Sequence, residues 1–158
     1  MKNQKTINSF QLMKNKWLTE KDYNFIYTRV PRVCVDLVIK NRRGVLLTFR
    51  EIEPFKNQWH MPGGRVKWRE TIIKAVQRIA REETGLEVEL VKLLGFMEFL
   101  REMQKGERRH TVSMVFLARP NDFNSSGCDQ AHRLNFFNKL PKKTIPIHAK
   151  FLTENNLL

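Results

Sequence analysis

Gly64-Arg65-Val66-Lys67-Trp68-Arg69-Glu70, seven further residues, then Arg78-Ile79-Ala80-Arg81-Glu82-Glu83-Thr84-Gly85-Leu86 is the stretch that decides the fold. Its pattern predicts a loop followed by a helix from Glu70 to Thr84. On a wheel of ~100° per residue, Ile72, Ile73, Val76, Ile79 and Ala80 fill one arc, while Lys74, Gln77, Arg78 and Arg81 fill the opposite side. Glu82 falls at the border and Glu83 inside the apolar arc. A carboxylate aimed at a core costs several kcal/mol unless a cation or strong donors meet it. Adjacent carboxylates at a helix end also oppose the macrodipole, which favours cations there. Something positive is expected beside Glu82 and Glu83. A hard cation with oxygen ligands fits, Mg²⁺ or Mn²⁺ more naturally than zinc. An isolated Glu-Glu pair would instead favour Glu82 pairing with Arg78 and Glu83 bending to solvent.

Outward from this helix, the chain reads as alternating strands and turns. Residues 1–17 are polar and rich in Lys and Asn, a flexible N-terminal segment, and 18–158 form one domain. Thr19 is placed as an N-cap, with Tyr23, Ile26, Tyr27 and Val30 at helical spacing up to Pro31. Arg32 to Lys40 reads as a strand with Val33, Val35, Leu37 and Ile39 on one face and Cys34, Asp36 and Val38 on the other. Val45 to Arg50 returns after a turn at Asn41–Gly44, and Trp59 to Met61 enters Pro62-Gly63-Gly64. Beyond the helix, strands are expected over 87–100, 110–119 and 133–140, with a polar turn at 104–109, a loop at 120–129 and a final helix at 148–153. Phe96, Phe99, Phe116, Phe136 and Phe137 sit in strand patterns and are assigned to the core, while Trp68 lies in an exposed loop position. Strands around one amphipathic helix, with a second helix at the end, argue for a mixed α/β (α+β) sheet flanked by helices.

Composition narrows the setting. At 158 residues, 41% hydrophobic and 28% charged, the chain can bury a core without disulfides or structural metal. No apolar run reaches membrane-spanning length and no secretory leader is read, so a cytoplasmic protein is expected. Cys34 and Cys128 have neither CxxC spacing nor nearby zinc-finger histidines, which suits a reducing compartment. The net charge of +13 steers anions of many kinds. Its basic residues are scattered, however, and no strand interleaves them with aromatics as an RNA-binding sheet would. A small anionic substrate explains the charge as well as nucleic acid does.

The 64–86 stretch resembles the signature of the Nudix hydrolases: Gly, five residues, Glu, seven residues, Arg-Glu-apolar-x-Glu-Glu-x-Gly-apolar. Every specified position matches except the first Glu after the Arg, which is Ile79. The resemblance implies an α/β/α sandwich around a mixed β-sheet with a loop-helix-loop metal site. It also implies that Glu82, Glu83 and the carbonyl of Gly63 bind Mg²⁺, that Arg78 orients the glutamates, and that Glu70 braces the loop. Gly64 and Gly85 serve backbone roles.

Ile79 bears on the reaction. In most Nudix pyrophosphohydrolases a glutamate there helps bind metal and activate water, and isoleucine does neither. Attack on phosphorus with several metals is thereby weakened. The GDP-mannose mannosyl hydrolases form a Nudix branch that also lacks this glutamate, uses one metal and attacks the anomeric carbon. Asp22-Tyr23, Arg29-Val30-Pro31 and Val35-Asp36 look like that branch's helix, proline and strand aspartate. Arg50 and Arg65 look like its diphosphate-binding arginines, Asp36 takes a site role, and its members often dimerise. Departures are also present: both Glu82 and Glu83 are kept, Thr111 stands where a tyrosine is expected, and His132, the candidate general base, is displaced by one place. His60, His110 and His148 are given structural readings.

Three functions are therefore expected in order. The first is a Mg²⁺-dependent hydrolase of a nucleoside diphosphate linked to a sugar. The second is an ADP-ribose or dNTP pyrophosphohydrolase in which Glu98 or Glu102 replaces the lost glutamate. The third is a nucleotide-binding module without turnover, motivated by Ile79 and by Gln130 where relatives carry a glutamate.

Overall fold

A computed structural model describes residues 18–53, 55–104, 107–121 and 133–158, the side chains of 101–104 and 107–108 excepted. His132, Gln130, Cys128 and Trp17 lie outside the described residues, as does the side chain of Glu102.

Thr19 caps the first helix, α1 (Glu20–Tyr27), by accepting from the Asp22 N–H. The helix stops well before Pro31 and buries none of its residues fully. β1 (Arg32–Asn41) turns into β2 (Gly44–Phe49), followed by the short β3 (Trp59–His60) and β4 (Gly63–Arg65). Helix α2 (Ile72–Thr84) leads to the long hairpin of β5 (Val88–Gln104) and β6 (Glu107–Pro120), then β7 (Leu134–Phe137) and α3 (Pro146–Glu154).

The seven described strands form one mixed sheet along the path β3-β2-β1-β6-β5, with β4 joined to β1 and β7 to β2. β1 is central. It runs parallel to β6 from Arg32↔Thr111 to Ile39↔Ala118 and antiparallel to β4, with Asp36 opposite Gly63. Both of its faces are covered, which is why it reads as a nearly unbroken apolar run. Val35, Leu37 and Ile39 pack under Ala75, Val76, Ile79 and Ala80 of α2. Val38, on the other face, joins Val45, Leu47, Met61, Met97 and Val115 under Phe151 and Leu152 of α3. Helices on both faces make an α/β/α sandwich. No described helix is long and apolar enough to cross a membrane.

Several boundaries differ from the sequence expectation. Thr71 is the N-cap of α2, so Glu70 sits before the helix and is free to fold back on the loop. Ile73 is 57% exposed. It lies roughly 120° from Ile79 on the wheel, and only the C-terminal half of α2 is covered at that angle, at Ala80 and Thr84. Phe96 is 59% exposed rather than core. A register shift between Leu93 and Gly95 adds a residue to β5 and flips the alternation, so Leu94 and Met97 face the core instead. The expected polar turn at 104–109 is instead largely strand, with β5 reaching Gln104 and β6 starting at Glu107; 105–106 lie outside the described residues.

Candidate active site

The glycine loop is brought to the site by β1. Gly63 pairs with Asp36, and a Cβ at residue 63 would lie 2.2 Å from Asp36 Oδ1. Only glycine lets the Asp36 carboxylate sit against this backbone. Asp36 is buried, and the Ser113 hydroxyl of neighbouring β6 donates to its Oδ2. From the other side the Gly63 N–H donates to Glu83 Oε2 at 3.1 Å. Two carboxylates on separate elements thus flank one glycine.

Glu83 is the electrostatic centre. Burial pushes its carboxyl up to about 7, and the negative charge of Asp36 pushes the same way, against the Gly63 hydrogen bond and the charge of Arg50. Its neighbour Glu82 is exposed, held by Arg78 Nη1 at 2.9 Å with Lys67 Nζ at 3.7 Å. The adjacent glutamates therefore do different things: one enters the cleft, and one faces the solvent side of the loop.

Arg78 ties the loop to the helix. Its Nε and Nη2 donate to Glu70 Oε1 and Oε2 at 2.7 and 2.9 Å, and Nη2 also donates to the Arg65 carbonyl at 2.9 Å. The Arg78 guanidinium holds the Glu70 carboxyl below its usual range, although burial opposes this. Glu70 also accepts from the Lys67 N–H at 2.9 Å, closing the loop on itself. Gly85, at φ 70°, ends α2 in the left-handed region and donates to the Arg81 carbonyl.

The cleft has two joined lobes. One, of about 190 Å³, is lined by Thr48, Phe49, Arg50, His60 and Glu83. The other, of about 210 Å³, is lined by Arg32, Cys34, Asp36, Arg50, His60, Gly63, Gly64, Arg65 and Thr111 among others. Arg50 and His60 belong to both. Ile79 is 2% exposed and packs beneath Gly64, where a Cβ would meet its Cδ1 at 3.4 Å. The position of the missing glutamate is thus filled by core hydrocarbon. Glu98 is exposed on β5 and lines neither lobe.

A divalent cation fits the donors present. Glu83 is a desolvated carboxylate beside a second carboxylate, and a cation between them relieves both burdens. Among the described residues no group of three or more His, Cys, Asp or Glu side chains forms a cage. One or two carboxylates with water completing the shell is the ordinary arrangement for Mg²⁺, and it is unlike a zinc site.

Some site residues were not singled out from the sequence. His60 lines both lobes; its Nδ1 lies 2.7 Å from the Met61 carbonyl and must donate, so in the neutral ring Nε2 accepts from the Thr48 hydroxyl at 3.2 Å. Arg32 lies four residues before Asp36, so the period of two that placed Asp36 also places Arg32 on the cleft face. From α3, His148 borders the same lobe as Arg32 but is almost fully buried, and its Nδ1 accepts from the Met61 N–H at 3.2 Å.

The sequence matches the NUDIX domain over residues 30–153. This chain belongs to the Nudix family. The Nudix chain is 35% identical over 123 residues to the low-salt glycan biosynthesis protein Agl8 of Haloferax volcanii, covering 76% of this chain and 79% of that protein. It is 36% identical over 126 residues to the ADP-ribose pyrophosphatase of Methanocaldococcus jannaschii, covering 78% and 72% respectively. The crystal structure of a MutT NUDIX hydrolase from Burkholderia pseudomallei superposes with a TM-score of 0.62 at 26% identity, covering 79% of this chain and 98% of that one. A MutT protein from Methanosarcina mazei shares the fold at a TM-score of 0.66 and 18% identity. The protein is accordingly a Nudix hydrolase, of a family that acts on nucleoside-diphosphate-linked substrates with divalent metals.

Proposed function

We propose that this Nudix hydrolase cleaves a nucleotide-sugar of the GDP-mannose type by attack at the sugar carbon. The observation that carries this reading is Ile79, buried under Gly64 where a metal-binding carboxylate would be needed for attack on phosphorus. A water oxygen bonds to the anomeric carbon as the carbon–oxygen bond to the diphosphate breaks, and the electron pair leaves on the nucleoside diphosphate. The transition state therefore gathers charge on the diphosphate rather than on an attacked phosphorus.

The residues suit that demand. Arg50 and Arg65 both line the cleft lobe that holds Asp36 and Gly63, and guanidinium forks match phosphate oxygens. Glu83, with Asp36 and the Gly63 backbone, would hold one Mg²⁺, which supplies further charge stabilisation on the leaving group. Arg78 and Glu70 keep that loop in place, with Glu82 on their outer side. His132 is retained as a proposed general base. The similarity to a glycan-biosynthesis protein supports a sugar-bearing substrate.

A second reading, pyrophosphate cleavage of an ADP-ribose-like substrate, is favoured by the likeness to an ADP-ribose pyrophosphatase. Incubation of GDP-mannose, UDP-glucose, ADP-ribose and dNTPs with Mg²⁺, resolved by anion exchange, separates the two. Intact nucleoside diphosphate plus free sugar supports carbon attack, and nucleoside monophosphate overturns it. No product from any of them would favour the binding module.

A further inference from the structure

Helix α1 touches two arginines of the cleft wall through Tyr23. The Tyr23 hydroxyl accepts from Arg32 Nη1 at 2.6 Å, and the Arg65 guanidinium lies over the Tyr23 ring at 4.4 Å from its centroid. Arg109 approaches the same ring at 5.1 Å and donates to Asn24 one residue along the helix. Arg32 is only 6% exposed, and its Nε and Nη2 both donate to the Thr111 hydroxyl, at 3.1 and 2.6 Å. Three guanidiniums therefore share one aromatic ring, and two of them, Arg32 and Arg65, line the cleft.

Like charges gathered this closely repel, and each also loses water. Cation–π contacts and the Tyr23 hydroxyl offset part of that cost. The positive field of such a cluster draws anions to the cleft. Along β1 the order is Asp36, Cys34, Arg32, with Arg65 opposite Cys34. Arg32 thus lies one step further out than Arg65 on the same face, about 6–7 Å along the strand. A diphosphate whose inner end sits near Glu83 and Asp36 would run outward past Arg65 toward Arg32.

We infer that Tyr23 is a positioning residue for the diphosphate, its ring setting the plane of Arg65 and its hydroxyl setting the fork of Arg32. This rests on the proposed substrate class but not on which bond breaks. The ring and hydroxyl do separable work. Tyr23→Phe keeps the surface under Arg65 and removes the acceptor of Arg32 Nη1, while Tyr23→Leu loses both. Because α1 buries no residue fully, neither change opens a core cavity.

The test measures affinity for inorganic pyrophosphate and for GDP, each with Mg²⁺, by calorimetry. It adds kcat and KM on the substrate that the product panel accepts. The expected result is that Tyr23→Leu lowers kcat roughly 10–100-fold, as a misplaced charge-stabilising group does, and weakens pyrophosphate at near-native Tm. Tyr23→Phe should restore kcat to within a few-fold while KM and pyrophosphate affinity stay weakened about 3–10-fold. If Tyr23→Leu does not fold, Tyr23→Phe decides alone: unchanged pyrophosphate affinity overturns the proposal. It is also overturned by Tyr23→Leu matching wild type in kcat and pyrophosphate affinity, or by Tyr23→Phe being no better than Tyr23→Leu. Release of nucleoside monophosphate would sink carbon attack alone, since pyrophosphate binding involves no turnover.

Discussion

The Gly63 N–H donates to Glu83 Oε2 at 3.1 Å, so the glycine loop and the last turn of α2 are joined at the carboxylate proposed to hold the metal. Every consequence of changing either residue passes through the same pocket.

Glu83 should trade stability for metal binding. Its folded-state carboxyl sits at about 7 because of burial and Asp36, above its usual 4.5. The folded protein therefore binds the proton more tightly than the unfolded chain. Glu83's own contribution to metal-free stability should rise as pH falls from 7 toward 4.5, by roughly 3 kcal/mol at most. Glu83→Gln should remove that contribution, so that metal-free stability drops more steeply than wild type as pH falls below 6.5, leave Tm at pH 8 unchanged or raised, and abolish the Mg²⁺-induced Tm increase. Thermal unfolding at two pH values with and without Mg²⁺ checks all three; a large Mg²⁺ shift surviving in the variant contradicts the metal assignment.

The two glycines of the loop should differ in tolerance. An alanine Cβ at residue 63 would be driven to 2.2 Å from Asp36 Oδ1, whereas at residue 64 it meets Ile79 Cδ1 at 3.4 Å. Gly63→Ala is expected to cost more than about 2 kcal/mol and to displace Asp36, and Gly64→Ala about 1 or less. Urea unfolding of the pair reads the difference, and equal costs would refute the close approach.

Arg78→Lys should loosen the loop. Lysine cannot supply the paired donors to Glu70 together with those to Glu82 and the Arg65 carbonyl. A loss of about 2–4 kcal/mol is expected, because Glu70 is left half-buried without its fork. In wild type, the lowered Glu70 carboxyl contributes stability that is present above 4.5 and lost as pH falls. The variant's stability should vary less with pH in that acid range.

His148 predicts a second acid sensitivity. Burial, then the charges of His60 and Arg50, push its imidazole down to about 3 from its usual 6.5. The unfolded chain binds the proton first, so stability is complete above 6.5 and is lost as pH falls toward 3. Between pH 6.5 and 4.5, where Glu83 contributes the opposite slope, His148→Gln should make the urea midpoint rise as pH falls more steeply than in wild type; an unchanged slope there would contradict a neutral buried ring.

The helix wheel separates adjacent residues by about 100°, which placed Glu83 toward the cleft. Glu82, at the border of the wheel's apolar arc and implied by the resemblance as a second metal ligand, instead lies outward against Arg78 and Lys67. Asp36 was legible for a similar reason, since a strand's period of two marks a polar residue on a covered face. Other features depend on tertiary partners. The bulges of β5 leave no reliable sequence mark, so Phe96 was placed on the wrong face. His60 sits on a two-residue strand too short for any period to assign it, and its tautomer follows only from the Met61 carbonyl. Tyr23 and Arg65 meet across 42 positions, a contact no local pattern encodes. Arg32 was within reach by the alternation that found Asp36.

The account stands most directly on which atom the water attacks. Hydrolysis of GDP-mannose in heavy-oxygen water with Mg²⁺, with both products weighed by mass spectrometry, reads this in one experiment. Carbon attack predicts the label in the released sugar and an unlabelled nucleoside diphosphate. Label in a phosphate-bearing product would contradict it, and Ile79 would then have to be explained by a carboxylate elsewhere in the chain.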